Sequence, residues 1–111
     1  MDLPMPDSGN VRAELTFLST ADGGRAMLPG PPWGGHGKNS YMPHLVVEGD
    51  PTYLGVCFVD GPQPIAGEAA CFDLELMYPK IDYSKLIPGA AITVREGGKT
   101  VAAGKIVAVG E

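Results

Sequence analysis

Four side chains in this 111-residue chain could act as soft metal ligands or nucleophiles: His36, His44, Cys57 and Cys71. Zinc sites draw pairs of ligands from one short segment, in patterns such as C-x-x-C or H-x-x-x-H. None of the four has a partner at that spacing, so no metal is expected, and His36 reads as a solvated loop residue. Neither cysteine has a base at a motif spacing that would make it a nucleophile. Ser19, Asp22 and the two histidines occur without a G-x-S-x-G elbow. Glu14, Asp73 and Glu75 alternate with apolar neighbours, the usual setting of solvated carboxylates. No G-x-x-x-x-G-K-[ST] loop is present, so neither GTP nor GDP is expected to bind. The chain is read as a non-enzyme with no cofactor.

The elements that must position these residues are short strands. In Val11–Leu18, Val11, Ala13, Leu15 and Phe17 share one face, while Arg12, Glu14 and Thr16 share the other. That period of two predicts a half-buried strand. Further strands are expected at 41–48, 53–59, 69–77, 90–96 and 99–109. Pro43 has no N–H to donate, so the second strand starts at an edge or begins pairing after it. The run Ala69–Met77 is rich in helix formers, yet Ala70, Phe72, Leu74 and Leu76 alternate with Cys71, Asp73 and Glu75; the alternation predicts a strand. Residues 82–87 read as a connector with one helical turn, stopped by Pro88-Gly89. The expected core is Leu15, Phe17, Val56, Phe58, Phe72, Leu74, Ile92, Val94 and Val101.

Gly97-Gly98 predicts a two-residue hairpin of type I′, with positive φ at both glycines. That turn sets Val94 opposite Val101 and Ile92 opposite Ala103. Continuing the same face would put Lys105 in the core, so a bulge is expected at Gly104. A hairpin around residue 64 would set Cys57 opposite Cys71 on the outward face, close enough for a disulfide. A cytoplasmic location predicts free thiols instead.

Sixteen Gly and eleven Pro are 27 of 111 residues, and between Gly23 and Gly37 they fill nine of fifteen positions. No helix survives that density. Residues 19–40 are therefore a Gly/Pro-rich loop, pinned to the barrel by Trp33. Six strands, no substantial helix and no repeat predict an all-β fold: a six-stranded antiparallel closed barrel, since closure removes exposed edges. Residues 1–10 read as an N-terminal extension and 11–111 as one domain. No apolar run reaches about 18 residues, so no membrane span is expected. Met1–Pro6 has no basic run, so no secretory signal is expected and the chain is read as cytoplasmic.

The segment Val94-Arg95-Glu96-Gly97-Gly98-Lys99-Thr100-Val101-Ala102-Ala103-Gly104 resembles the end of the C-terminal (third) domain of the translation elongation factor Tu family. Leu18-Ser19-Thr20-Ala21-Asp22-Gly23-Gly24-Arg25 is similar to that domain's opening, and Ser40-Tyr41-Met42-Pro43-His44 to its Gly-Tyr-Arg-Pro-Gln. The resemblance runs in order from about residue 11 to 109. It implies the same six-stranded barrel, here as a free-standing domain. It also implies a binding role for Arg25, Arg95, Glu96, Gly97 and Lys99, of which Glu96 and Gly97 match the family's tRNA T-stem contact. Thr20, Ala26-Met27 and Met42 replace family residues that are basic or polar.

The net charge is −5, with thirteen acids against eight scattered bases. Nucleic-acid affinity rests largely on Lys and Arg neutralising phosphates, which this balance opposes. The expected function is a non-catalytic protein–protein interaction domain related to the translation machinery. The alternative is binding of structured, tRNA-like RNA through the 95–99 hairpin. A large exposed apolar patch would favour protein, and a basic stripe would favour RNA.

Overall fold

The computed structural model describes residues 9–24, 27–31, 33, 41–78 and 80–110. Six strands form: β1 Asn10–Phe17, β2 His44–Val47, β3 Leu54–Asp60, β4 Ala69–Leu76, β5 Ala91–Glu96 and β6 Lys99–Val109. They close into an antiparallel barrel in the order β1-β4-β3-β2-β5-β6, with β6 returning to β1. In β1 burial alternates strictly, with Val11, Ala13, Leu15 and Phe17 inside. All nine expected core residues are at most 3% exposed. Residues 69–76 are a strand, because alternation lets one face enter the core and leaves Asp73 and Glu75 outside.

Pairing of β2 with β3 continues N-terminally beyond His44. The amide of Val56 donates to the Pro43 carbonyl at 3.1 Å and that of Phe58 to the Tyr41 carbonyl at 3.0 Å. Pro43 takes part as an acceptor, the one backbone role left to it.

Several finer expectations are corrected. In the β5–β6 turn Gly97 has φ +62° and Gly98 is not positive, the pattern of type II′. Glu96 pairs with Lys99 and Arg95 with Thr100, but then Val94 faces Ala102, Thr93 faces Ala103 and Ile92 faces Gly104. The bulge is thus at Val101, three residues before the expected Gly104. It buries both Val101 and Ala102 and turns Lys105 outward. Gly104 pairs regularly, with Ile92 on one side and Leu15 on the other. A Cβ there would overlap the Glu14 carbonyl, so glycine permits close approach of β1.

Cys57 faces Glu75, and Cys71 faces Glu14. The two cysteines are not cross-strand neighbours, and both are free. Alternation fixes which face is buried but tolerates any shift by an even number of residues. The β3–β4 turn lies at residues 66–67 and not at 64, which moves the register by four. The connector 82–87 holds turns and no helical turn. Within 19–40, the described residues include a single 3₁₀ turn at Thr20–Asp22, capped by the Ser19 side chain.

Candidate functional site

One end of the barrel collects the β5–β6 turn, the 19–24 segment and the start of the β2 pairing. Phe17, Phe58, Phe72, Tyr41 and Trp33 form an aromatic cluster there, with ring centroids 4.9–6.5 Å apart. Trp33 does more than pin a loop to the surface. It is 5% exposed, packs edge-on to Phe72, and donates from Nε1 to the Gly61 carbonyl at 2.8 Å. Its indole closes that end of the core, so it offers no free stacking face to a ligand.

Of the residues singled out in the sequence, Glu96, Gly97 and Lys99 meet at this end, and Arg95 stands beside them on the outward face. The Tyr41 hydroxyl donates to Glu96 Oε2 at 2.6 Å, Lys99 Nζ donates to the Gly24 carbonyl at 3.0 Å, and Arg95 Nε donates to Thr93 Oγ1 at 2.9 Å. Gly97 forms the turn. Arg25 lies outside the described residues. Glu96 and Lys99 therefore act as fasteners, one holding the start of β2 and the other the 19–24 segment.

A second region was not anticipated. Along the outward side of β3, β2, β5 and β6, the central side chains are small or apolar, with His44, Arg95 and Lys105 toward the margins. His44 pairs with Gly55 on β3 and Arg95 on β5; Val46 pairs with Thr93, and Thr93 with Ala103. Val46, Thr93, Ala91 and Ala103 line a shallow depression of about 630 Å³, with Arg95 and Glu48 in its lining. On the β2–β3 side of this face, Tyr53 is 41% exposed and its ring lies 5.6 Å from that of His44. Met42 is 46% exposed and Tyr78 50%. Tyr78 lies over Gly55, where a Cβ would overlap its ring. The signal for this region was present in Leu45-Val46-Val47 and Ala102-Ala103, where apolar residues occupy both faces of a strand.

Compared with protein-family models and with curated proteins, the chain matches none. Its function must therefore be argued from these two regions.

The thiols are chemically quiet. Cys57 is fully buried; burial, then nearby Glu75, raises its pKa. Cys71 is raised by burial first and by Glu14 next. A thiol held protonated at neutral pH is a poor nucleophile. Among the described residues no three of His, Cys, Asp or Glu are grouped as metal ligands would be. His44 rests against Tyr53, and His36 lies outside the described residues. Asp73 is engaged by Arg12 in a two-point ion pair at 2.7 and 3.2 Å, which raises the Arg12 pKa. No helix among the described residues is long and apolar enough to cross a membrane.

Proposed function

We propose that this chain is a relative of the third domain of the elongation factor Tu family and works in the cytoplasm as a non-catalytic protein-interaction module related to translation. The observation that carries the reading is the outward face of β2 and β3, where Met42, Tyr53 and Tyr78 present large apolar or aromatic surface. Aromatic and Met side chains are enriched at protein interfaces, while Lys, Glu and Asp are depleted. That composition fits a protein partner better than a phosphate backbone.

The cations speak against RNA as the main ligand. Arg12 is engaged by Asp73, Lys85 by Asp50 and Lys99 by the Gly24 carbonyl, on separate elements of the fold. Phosphate recognition gains from several cations aligned in one stripe. Glu96, matched by resemblance to an RNA contact, holds Tyr41 here. A photo-crosslinking amino acid at Tyr53 or Met42, expressed in cells, should yield covalent protein adducts; one at Ala69 on β4 should not. Tight tRNA binding at near-physiological salt, weakened by Arg95→Ala or Lys99→Ala, would put RNA in the protein's place.

A further inference from the structure

The face centred on Val46 and Thr93 carries opposite charges at its two ends. Arg95 stands on β5 opposite His44, two residues beyond Thr93. Glu48 follows β2 on the other side, two residues beyond Val46, and its amide donates to the Ala91 carbonyl at 2.9 Å. Each charge is thus about 7 Å along the strands from the Val46–Thr93 pair, in opposite directions and on neighbouring strands. Among the described residues neither forms a salt bridge. Between them the outward side chains are Val46, Thr93, Ala91 and Ala103, all short, with Lys105 at the β6 margin beside Ala91.

We propose that a second copy of this chain docks on this face, forming a two-fold symmetric dimer in which Arg95 of each copy pairs with Glu48 of the other. The proposal rests on the reading of this side of the barrel as a protein-binding surface, and it names one occupant. A two-fold axis lying in the plane of the face, over the Val46–Thr93 pair and at right angles to the line from Arg95 to Glu48, carries Arg95 over the second copy's Glu48. It carries Glu48 over the second copy's Arg95 in the same step. That reciprocity is what a two-fold interface requires of a patch: it must complement itself. Strands of the two copies then run close to antiparallel, the usual alignment of packed sheets. Like charges stay apart, because each Arg95 sits near an acid and away from its own counterpart. Lys105 lies beside Ala91 on β6 and His44 beside Arg95 on β2; neither is brought against its own copy by this axis. The face is four strands wide and about five residues long, roughly 19 by 17 Å. A patch of that size falls short of the roughly 800 Å² per partner of standard stable interfaces. The dimer is therefore expected to exchange with monomer at micromolar concentration.

Sedimentation equilibrium on the full chain tests this, with far-UV circular dichroism to check folding. The wild type should show a mass that doubles as concentration rises. Arg95→Glu alone and Glu48→Arg alone should each weaken self-association by about tenfold or more, because each sets like charges together. An equimolar mixture of the two variants should regain the dimer, since every cross-pair is again opposite in sign. Thr93→Arg, at the centre, should abolish the dimer by bulk while leaving the barrel folded. A wild type that stays monomeric to millimolar concentration overturns the proposal. So does a dimer indifferent to both charge reversals, or a mixture that remains monomeric. A monomer that still gives heterologous crosslinks from Tyr53 would sink the dimer and leave the protein-binding reading standing.

Discussion

The end of the barrel around Trp33 and the outward face around Thr93 are built from opposite materials. At the end, polar groups are committed: Tyr41 to Glu96, Lys99 to Gly24 and Trp33 to Gly61, over a cluster of five aromatic rings. On the face, side chains are small, Arg95 reaches only the neighbouring Thr93, and Glu48 has no salt-bridge partner among the described residues. Substitution should therefore cost stability at the end and leave it intact on the face, where association would change instead. A region whose charged groups are already satisfied within the chain is poorly suited to recognising a partner. By that criterion Glu96 and Lys99, matched to a family binding motif, are structural, while Arg95, matched with them, belongs to the adjoining face that we propose binds.

The largest expected effect is at Trp33. Trp33→Ala removes a buried indole and its hydrogen bond to Gly61, and should cost about 3–5 kcal/mol of unfolding free energy in urea titration. A loss below about 1 kcal/mol would mean that the ring lies on the surface and does not close the core.

Next comes the fastener between Tyr41 and Glu96. Tyr41→Phe removes one donor from a half-buried carboxylate and should cost about 1.5–3 kcal/mol, the range for hydrogen bonds to charged groups. The double variant Tyr41→Phe with Glu96→Gln should lose less than the sum, since both singles break one contact. Strict additivity would show that the two side chains do not communicate. Thr93→Arg, by contrast, should change stability by no more than about 0.5 kcal/mol, as substitutions on an open surface do.

The cysteines give a smaller effect. Their pKa values are raised in the folded state, so the stability they contribute is fully present below the unfolded thiol value, near pH 8.5. It is lost as pH rises through the folded values. Urea midpoints should fall progressively above about pH 8.5, and a Cys57→Ala, Cys71→Ala variant should show a shallower decline. In native protein at pH 7 Cys57 should resist a thiol reagent that labels both cysteines after unfolding. Rapid native labelling of Cys57 would contradict its burial.

Period-two alternation carried most of the fold. It placed Leu15, Phe17, Val56, Phe58, Phe72, Leu74, Ile92, Val94 and Val101 inside because one face of each strand must be apolar. Alternation is blind to even shifts of register, which is why Cys57 was set against Cys71 and not Glu75. It is also blind to where an extra residue enters a ladder: the problem raised by Lys105 was real, but Val101 resolves it before Gly104 is reached. The candidate face was less legible. Its residues come from β2 and from the β5–β6 hairpin, which a long stretch of chain separates, and Val46 joins Thr93 and Ala103 only when β2 pairs with β5. The resemblance pointed to Arg95 and Glu96 together. Their divergence, one tied into the barrel end and the other lining the open face, depends on which side of a strand each side chain leaves.

The smallest expected effect tests the border between the two kinds of region. Asp50 lines the same depression as Glu48, yet it is committed: Lys85 Nζ lies 2.7 Å from Oδ2, and the Thr52 amide donates to Oδ1 at 2.9 Å. The hydrogen bond from Lys85 is the largest cause, followed by the Thr52 amide, and together they hold the Asp50 carboxyl well below the usual carboxylate range. Because the folded pKa is depressed, the stability from Asp50 is present above its unfolded value, near pH 4, and is lost as pH falls below it. Asp50→Asn should make the acid limb of the stability curve less steep while barely moving the midpoint at pH 7, since the pair is solvent-screened. Lys85→Met should move the Asp50 carboxyl, followed by side-chain carbon NMR, only part of the way back, because the Thr52 amide still donates to it. An Asp50 that titrates in the ordinary range in wild-type protein would show that Lys85 does not hold it. The depression would then carry two uncommitted carboxylates opposite one Arg95, the dimer's charges would no longer balance, and the contrast between a committed border and an open face would fail.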